Sequence, residues 1–233
     1  MKAMHRPRLA LLLAALAIGS LAPAAAQVPP TASEALAYEG VHQAAWRGDL
    51  ARLKALIAAG ADLEARDGRG RTALHVATHA RQREAIRLLA QAGAKLDVLE
   101  DDRYDAVTIA AVADDPATLS LLLSLGASPR QTTSRYDGTA LIAAAHLGHD
   151  EVVRRLIAAG APLDHVNNLH WTALIESIVL GDGGPRHQRT LAALVDAGAD
   201  LRLTDRQGNT PLQLARARGY AAMVAKLKAA GAK

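Results

Sequence analysis

Histidine and acidic residues with ligand-like spacing are the first candidates for chemistry in this sequence. His75 and His79 lie four positions apart, which would place two metal ligands on one face of a helix. The zinc-hydrolase pattern H-E-x-x-H also needs a glutamate directly after the first histidine, and Val76 stands there. The acidic run at 100–102 lacks the D-x-[DN]-x-[DN]-G spacing of a calcium loop. We therefore expect no metal site.

Catalytic motifs are also missing from the sequence. The glycine-rich stretch 181–184 does not continue into G-x-x-x-x-G-K-[ST] or G-x-G-x-x-G, the patterns that hold phosphates. There is no G-x-S-x-G, and the chain has no cysteine to act as a nucleophile, bind zinc or form a disulfide. We expect a protein that is not an enzyme and has no cofactor. A small-molecule or metal binder remains an alternative without a supporting set of residues.

The first 26 residues have the three-part layout of a secretory signal peptide. Lys2, Arg6 and Arg8 form a basic start, 9–21 is apolar, and small residues lead to a predicted cleavage after Ala26. A transmembrane anchor needs about 20 apolar residues, and this run has 13. Cleavage is therefore the favoured prediction, with an uncleaved anchor as the alternative.

The charge balance changes when this segment is removed. The whole chain has a pI of about 9.6, which would suit nucleic-acid binding. The predicted signal peptide holds 3 of the 27 lysines and arginines and none of the 23 acidic residues, which leaves a net charge of +1. Since a near-neutral chain has no basic surplus to displace counterions, we expect no nucleic-acid partner, and no membrane contact after cleavage.

Two marks recur in phase along the rest of the chain, with a period of about 33 residues. A Gly-Ala pair starts at Gly60, Gly93, Gly126, Gly160, Gly198 and Gly231, with spacings of 33, 33, 34, 38 and 33. A threonine-led motif starts at Thr72, Thr139, Thr172 and Thr210, with degenerate copies at 39–42 and 106–109. The threonine can cap a first helix and the glycine can end a second one. Each period thus predicts a helix-turn-helix unit.

The marks divide the chain into six units after a linker at 27–37. The predicted bounds are roughly 38–66, 67–99, 100–133, 134–166, 167–204 and 205–233. The third unit is expected to be the most eroded, because Ala106 stands where the motif has threonine. The fifth is longer by five residues, and its surplus at 181–188 predicts a loop after which Pro185 can open the second helix. The predicted fold is an all-α solenoid whose units are joined by hairpin-like loops.

The segments 72–77 (Thr-Ala-Leu-His-Val-Ala) and 210–215 (Thr-Pro-Leu-Gln-Leu-Ala) resemble the T-P-L-H-x-A signature of the ankyrin repeat. The resemblance covers about 38–233. It implies a protein-binding scaffold without catalysis, which uses the loops, or fingers, and the first helices of its units. It also implies a structural role for His75 and His42, bonding the loop of the neighbouring unit.

Aromatic residues on three consecutive fingers are the best candidates for partner contact. They are Tyr104, Tyr136 and Trp171. The same candidate surface includes Arg71, Arg103, Arg135, His79, His146 and His187. Two interpretations stay open here: the aromatic rings form a binding surface, or they pack within their own hairpins while the arginines are solvated.

These observations predict a non-catalytic periplasmic scaffold, monomeric when alone, that holds, regulates or inhibits an exported protein. A self-protection or immunity role is a sharper version of this prediction. The alternative is a secreted effector that binds host proteins, since some secretion routes also begin with a signal peptide.

Overall fold

The structure is a computed structural model that describes residues 27–233, and in these residues it consists of 13 helices. The predicted signal peptide at 1–26 lies outside the described residues. A short leading helix, α1 (Ala32–Ala37), precedes six helix pairs. One such pair falls within each predicted unit. The all-helical repeat solenoid expected from the sequence is confirmed.

The pairs form two layers. The first helices are α2 (Gly40–Arg47), α4 (Ala73–His79), α6 (Ala106–Val112), α8 (Ala140–His146), α10 (Ala173–Val179) and α12 (Pro211–Ala217). The second helices are α3 (Leu50–Ala58), α5 (Arg83–Gln91), α7 (Pro116–Ser124), α9 (Asp150–Ala158), α11 (Pro185–Asp196) and α13 (Ala221–Ala229). Each helix packs on its partner and on the same helix of the next unit.

Small side chains between the first helices and leucines beneath the second helices build the core. The same position of each first helix is buried and small, at Ala44, Ala77, Ala110, Ala144, Ser177 and Ala215. Each second helix contributes at least one fully buried leucine, among them Leu53, Leu89, Leu122, Leu156, Leu194 and Leu227. Because no single unit can bury its own apolar face, these contacts make stacking a condition of folding.

Histidines of the repeat motif bond backbone carbonyls of nearby loops, and one of these contacts crosses a unit boundary. His75 accepts the backbone N–H of Thr72 at 3.1 Å through Nδ1, so its Nε2 donates to the carbonyl of Val98 at 2.9 Å. His42 Nε2 lies 2.9 Å from the carbonyl of Arg71, in the next unit. The buried imidazole of His75 has its pKa lowered to about 4 by loss of solvation, so it is neutral.

The first helix of the third unit, α6, does have a capping residue. This corrects the expectation that the capping motif is lost at Ala106. Asp105 occupies the cap position, and its Oδ1 accepts the backbone N–H of Thr108 at 2.7 Å. The sequence motif was placed one residue too late. Asp105 is fully buried, and its Oδ2 has no hydrogen-bond partner among the described residues. Burial therefore raises the pKa of this carboxyl from 3.8 to about 6.

Asp105→Thr, which introduces the residue that caps four of the other first helices, is expected to stabilise the protein near pH 7.5. The buried site favours the protonated form of Asp105. The contribution of this carboxyl to the stability of the fold is therefore complete below pH 3.8 and is lost as the pH rises through 6. We expect a gain of about 2 kcal/mol in unfolding free energy at pH 7.5 and little gain at pH 4. Urea denaturation at both pH values measures it. Asp49→Thr, at the more exposed cap of α3, is the control, and an equal gain there would contradict this explanation.

A helix stands where the sequence predicted a linker. Thr31 and Glu34 form a capping box that starts α1. The Glu34 carboxylate then contacts Arg69 at 3.1 Å and Arg71 at 3.0 Å, in the loop before α4. The segment 27–37 is thus docked on the first units. In the sequence, only the capping-box spacing of Thr31 and Glu34 indicates that this segment is helical.

Candidate functional site

Five fingers connect the units and are fixed to one another by hydrogen bonds. They are the loops 67–71, 100–104, 133–138, 167–171 and 205–209. Backbone N–H groups of Asp101, Ser134 and Asn168 donate to the preceding finger, at the carbonyls of Arg69 (3.1 Å), Arg103 (2.9 Å) and Tyr136 (2.9 Å). We refer to the surface formed by these fingers and the first helices as the finger face. Its backbone is held in one arrangement before any partner arrives.

The three candidate aromatic residues lie on the consecutive middle fingers and are each partly buried. Tyr104 and Trp171 are the last residues of their fingers, directly before the helix caps. Tyr136 lies in the turn of a finger that is one residue longer, so it is not equivalent to the other two. Partly exposed rings on a fixed backbone suit binding, because little conformational entropy is lost on contact.

The same three fingers carry backbone strain. The next-to-last position of each finger is left-handed, and the first and last fingers place Gly70 and Gly208 there. The middle fingers instead place Arg103, Asp137 and His170 in this conformation, with φ of +65°, +52° and +63°. A side chain in this region costs about 1 kcal/mol relative to glycine. Such strain is concentrated at functional sites, which points to the middle fingers.

Arg103 and Arg135 are exposed, as expected for a polar rim. Arg103 lies 3.4 Å from Asp137, and Arg135 lies 3.8 Å from Asp102, so two neighbouring fingers exchange ion pairs. About half or more of each arginine side chain remains accessible. Exposed pairs of this kind contribute little to stability. Both guanidinium groups can therefore leave these ion pairs and bind a partner at a small cost in stability.

Arg71 was wrongly predicted to belong to this rim. Only 1% of its side chain is exposed. Its Nε donates to Asp67 Oδ2 at 2.7 Å, and its Nη2 donates to Glu34 at 3.0 Å. The hydroxyl of Tyr38 donates to the same Asp67 oxygen at 2.8 Å. Arg71 holds α1 and the first units together, which its position in the sequence does not reveal.

His79 and His146 are the last residues of α4 and α8 and are partly buried. Loss of solvation lowers the pKa of His79 to about 4 and also lowers the pKa of His146, which has His187 and His149 nearby. Both rings are therefore neutral near pH 7. They offer a hydrogen bond and an aromatic face to a partner, and no charge.

His187 is a second correction to the predicted contact surface, because only 12% of its side chain is exposed. Its ring lies between two glycines: a Cβ on Gly148 would be 2.9 Å from Cε1, and one on Gly181 would be 2.7 Å from Cδ2. Its Nδ1 is 2.8 Å from Asp182 Oδ1, and its Nε2 is 2.9 Å from the carbonyl of His146. His187 thus fastens the fifth unit to the fourth.

The rest of the fifth-unit insertion is structural as well. The sequence predicted a loop at 181–188, but α11 begins at Pro185 and takes up the last four of these residues. Pro185 opens the helix as expected. The extra turn carries Arg186 to Asp114 of the third unit, at 2.7 Å, and the hydroxyl of Tyr220 in the sixth unit donates to the Gly181 carbonyl at 2.8 Å. The insertion therefore joins four units.

His187→Ala is expected to lower the free energy of unfolding by about 2 kcal/mol, since it removes two hydrogen bonds and leaves a cavity between the glycines. Thermal unfolding followed by circular dichroism measures the change. Gln207→Ala, at an exposed finger residue, is the matched control and should shift the midpoint by less than about 1 °C. If the two variants had the same unfolding midpoint, the contacts of His187 would not stabilise the packing of the fifth unit on the fourth.

Glu176 is a residue of the finger face that the sequence reasoning missed. It lies on α10 and is only 5% exposed. Its Oε1 accepts the side-chain N–H of Asn167 at 2.8 Å, and its Oε2 lies 3.6 Å from His146 Nδ1. Burial raises the pKa of this carboxyl to about 7. A signal existed, because the equivalent positions of four other units are apolar: Val76, Ile109, Ala143 and Leu214.

Two other kinds of site are missing from the described part of the chain. Within residues 27–233, no three histidine or acidic side chains converge in a way that could hold a metal ion. No helix described there has the length and apolar character needed to cross a bilayer.

Comparisons with known proteins agree on the repeat. The sequence matches the family model of ankyrin repeats (3 copies) over residues 41–133 and 108–205. It is 35% identical over 191 residues to the putative ankyrin repeat protein YahD of Escherichia coli K12, which covers 81% of this chain and 94% of YahD. It spans only 40% of the human ankyrin repeat and SOCS box protein 16, at 33% identity over 182 residues and 76% of this chain.

Solved structures show the same architecture. An ankyrin repeat domain of Acinetobacter baumannii superposes with a TM-score of 0.78 and 43% identity, over 83% of this chain and 98% of that one. The ankyrin repeat protein EF0377 gives a TM-score of 0.76 at 28% identity, over 82% and 98% of the two chains. With the repeat marks, the helix pairs and the fingers, these matches show that the chain belongs to the ankyrin repeat family.

Proposed function

We propose that this chain is a non-catalytic, exported scaffold whose finger face binds one folded protein of the periplasm and holds or inhibits it. Ankyrin repeats are in general protein-interaction modules and not enzymes. The signal-like layout of 1–26 supports export. A chain without cysteine also suits an oxidising compartment, where it cannot form mispaired disulfides.

One observation carries the binding proposal: Tyr104, Tyr136 and Trp171 are partly exposed on the three fingers that also carry strained side chains. Neighbouring fingers without aromatic residues at these places keep glycine at the strained position. The backbone strain at Arg103, Asp137 and His170 does not help the protein to fold. It is explained if these side chains contact a binding partner. Aromatic anchors surrounded by arginine are the usual composition of an interface centre and its rim.

The sharper form of the proposal is self-protection, in which the partner is an exported enzyme or toxin that the scaffold blocks. A rigid surface of several fingers can cover a partner over the roughly 800 Å² per side of a standard interface. Inhibition would then follow from covering the partner's active site, without any chemistry by the scaffold.

Affinity capture from periplasmic extract of the source organism tests this function. Residues 27–233 serve as bait, with a Tyr104→Ala, Trp171→Ala double variant as the matched control. We expect one exported enzyme to be retained by the native bait alone and to lose activity when the scaffold is added. Equal retention of the same proteins by both baits would refute the finger face as the binding surface. Partners found only in host extracts would favour a secreted effector instead.

A further inference from the structure

Several buried carboxylates of the array have an arginine partner, and within the described residues Glu176 is among those that have none. Asp67, Asp115 and Asp150 each lie close to an arginine, at 2.7 Å from Arg71, 3.1 Å from Arg83 and 2.8 Å from Arg189. Among the described residues, the only ion-pair contact of Glu176 is with His146, at 3.6 Å. Oxygen Oε1 is satisfied by Asn167, and Oε2 lies 3.6 Å from His146 Nδ1, beyond hydrogen-bond distance.

His146 does not supply the missing positive charge. The loss of solvation lowers its pKa, and the nearby His187 and His149 lower it further. Since its pKa lies below the ordinary value of 6.5, the ring is mostly neutral at pH 7 and above. A buried carboxylate that faces only neutral groups is costly, and a cation placed against it recovers part of that cost.

The surroundings of Glu176 give such a cation a way in. The neighbouring His146 is 32% exposed, so the carboxyl lies close to the surface. Asn167 belongs to the same finger as Trp171, which places Glu176 beside the aromatic part of the finger face. Val179, one helical turn along α10 from Glu176, and Ala143, at its position in the preceding unit, are apolar and partly exposed. Apolar neighbours suit the methylene stem of a long basic side chain.

We propose that Glu176 is the receptor for an arginine or lysine side chain of the partner, which enters beside His146 and the fourth finger (167–171) and places its charge on Oε2. This inference rests on the proposed function of the finger face and adds the chemistry of its central contact. The partner therefore presents a basic side chain near the middle of its contact surface, and aromatic contacts with Tyr104, Tyr136 and Trp171 surround it.

Titration with single-residue probes tests this inference without the natural partner. The probes are Nα-acetyl-arginine methylamide, its lysine analogue and the uncharged norleucine analogue, added to residues 27–233 at pH 8. The side-chain amide of Asn167, which donates to Glu176, reports binding in ¹⁵N NMR spectra. We expect saturable shifts for at least one basic probe, with a Kd of about 1 mM, and at least tenfold weaker binding of norleucine. Arginine and lysine probes together distinguish a guanidinium site from an ammonium site.

Glu176→Gln keeps the shape of the side chain and should weaken binding of the basic probe at least tenfold. Circular dichroism verifies its fold, which should be retained because the variant removes a buried charge. Glu84→Gln, at an exposed residue of α5, is the control and should bind within twofold of the native chain. Equal binding of norleucine, or unchanged binding by Glu176→Gln, would overturn the inference. A partner captured by the native bait despite failed probe binding would leave the proposed function standing and refute only the Glu176 receptor.

Discussion

Replacing Arg71 with methionine is expected to lower the free energy of unfolding by about 3 to 5 kcal/mol. Methionine fills a similar volume, so the main loss is the positive charge beside the largely buried Asp67. The carboxylate would keep only the Tyr38 hydroxyl and backbone N–H groups as partners. The contact of Arg71 with Glu34, which helps to hold α1, would be lost as well. Chemical denaturation followed by circular dichroism measures the change.

Arg69→Met is the matched control for that experiment. Arg69 contacts the same Glu34 carboxylate, at 3.1 Å, but its side chain is 42% exposed. Since exposed ion pairs are worth little, we expect a loss below about 1 kcal/mol. Similar losses for both variants would contradict the buried Arg71–Asp67 pair as the principal attachment of the first units.

Replacing two of the finger aromatic residues, Tyr104 and Trp171, in one variant should have the largest effect on the affinity for the partner. For Tyr104→Ala with Trp171→Ala we expect the captured partner to bind more weakly by about 3 kcal/mol or more, roughly a hundredfold in Kd. The helical circular dichroism should be unchanged, because both rings lie outside the helices. Calorimetric titration of native and variant chains measures the difference. Val166→Ala removes an exposed apolar side chain outside the fingers, and its Kd should match the native value. Unaltered affinity in the folded double variant would refute the aromatic surface.

Local signals made most of the fold predictable. A threonine at a helix start and a glycine at a helix end act within one turn of chain, so their 33-residue spacing locates the helix pairs without knowledge of the packing. Pro185 shows the same principle, since its fixed φ favours the first turn of α11. The misplacement at Ala106 arose because Asp105 replaces threonine with another good capping residue.

The candidate surface was less predictable, because burial depends on residues far apart in sequence. Arg71 becomes inaccessible through Glu34, 37 positions earlier, and His187 through the carbonyl of His146, 41 positions earlier. Neither contact leaves a pattern within one repeat. Glu176 could have been found by comparing equivalent positions of the units, where a charged residue interrupts an apolar column.

Hydrogen–deuterium exchange of the chain, free and saturated with its captured partner, tests the finger face most directly. The finger amides make hydrogen bonds that lie at the surface, so they open and exchange faster than core amides, and a covering partner should slow this exchange. The proposed function predicts protection at 100–104, 133–138 and 167–171, with no change in the second helices α7 and α9. Protection confined to those second helices, with the three fingers exchanging as in the free chain, would contradict it.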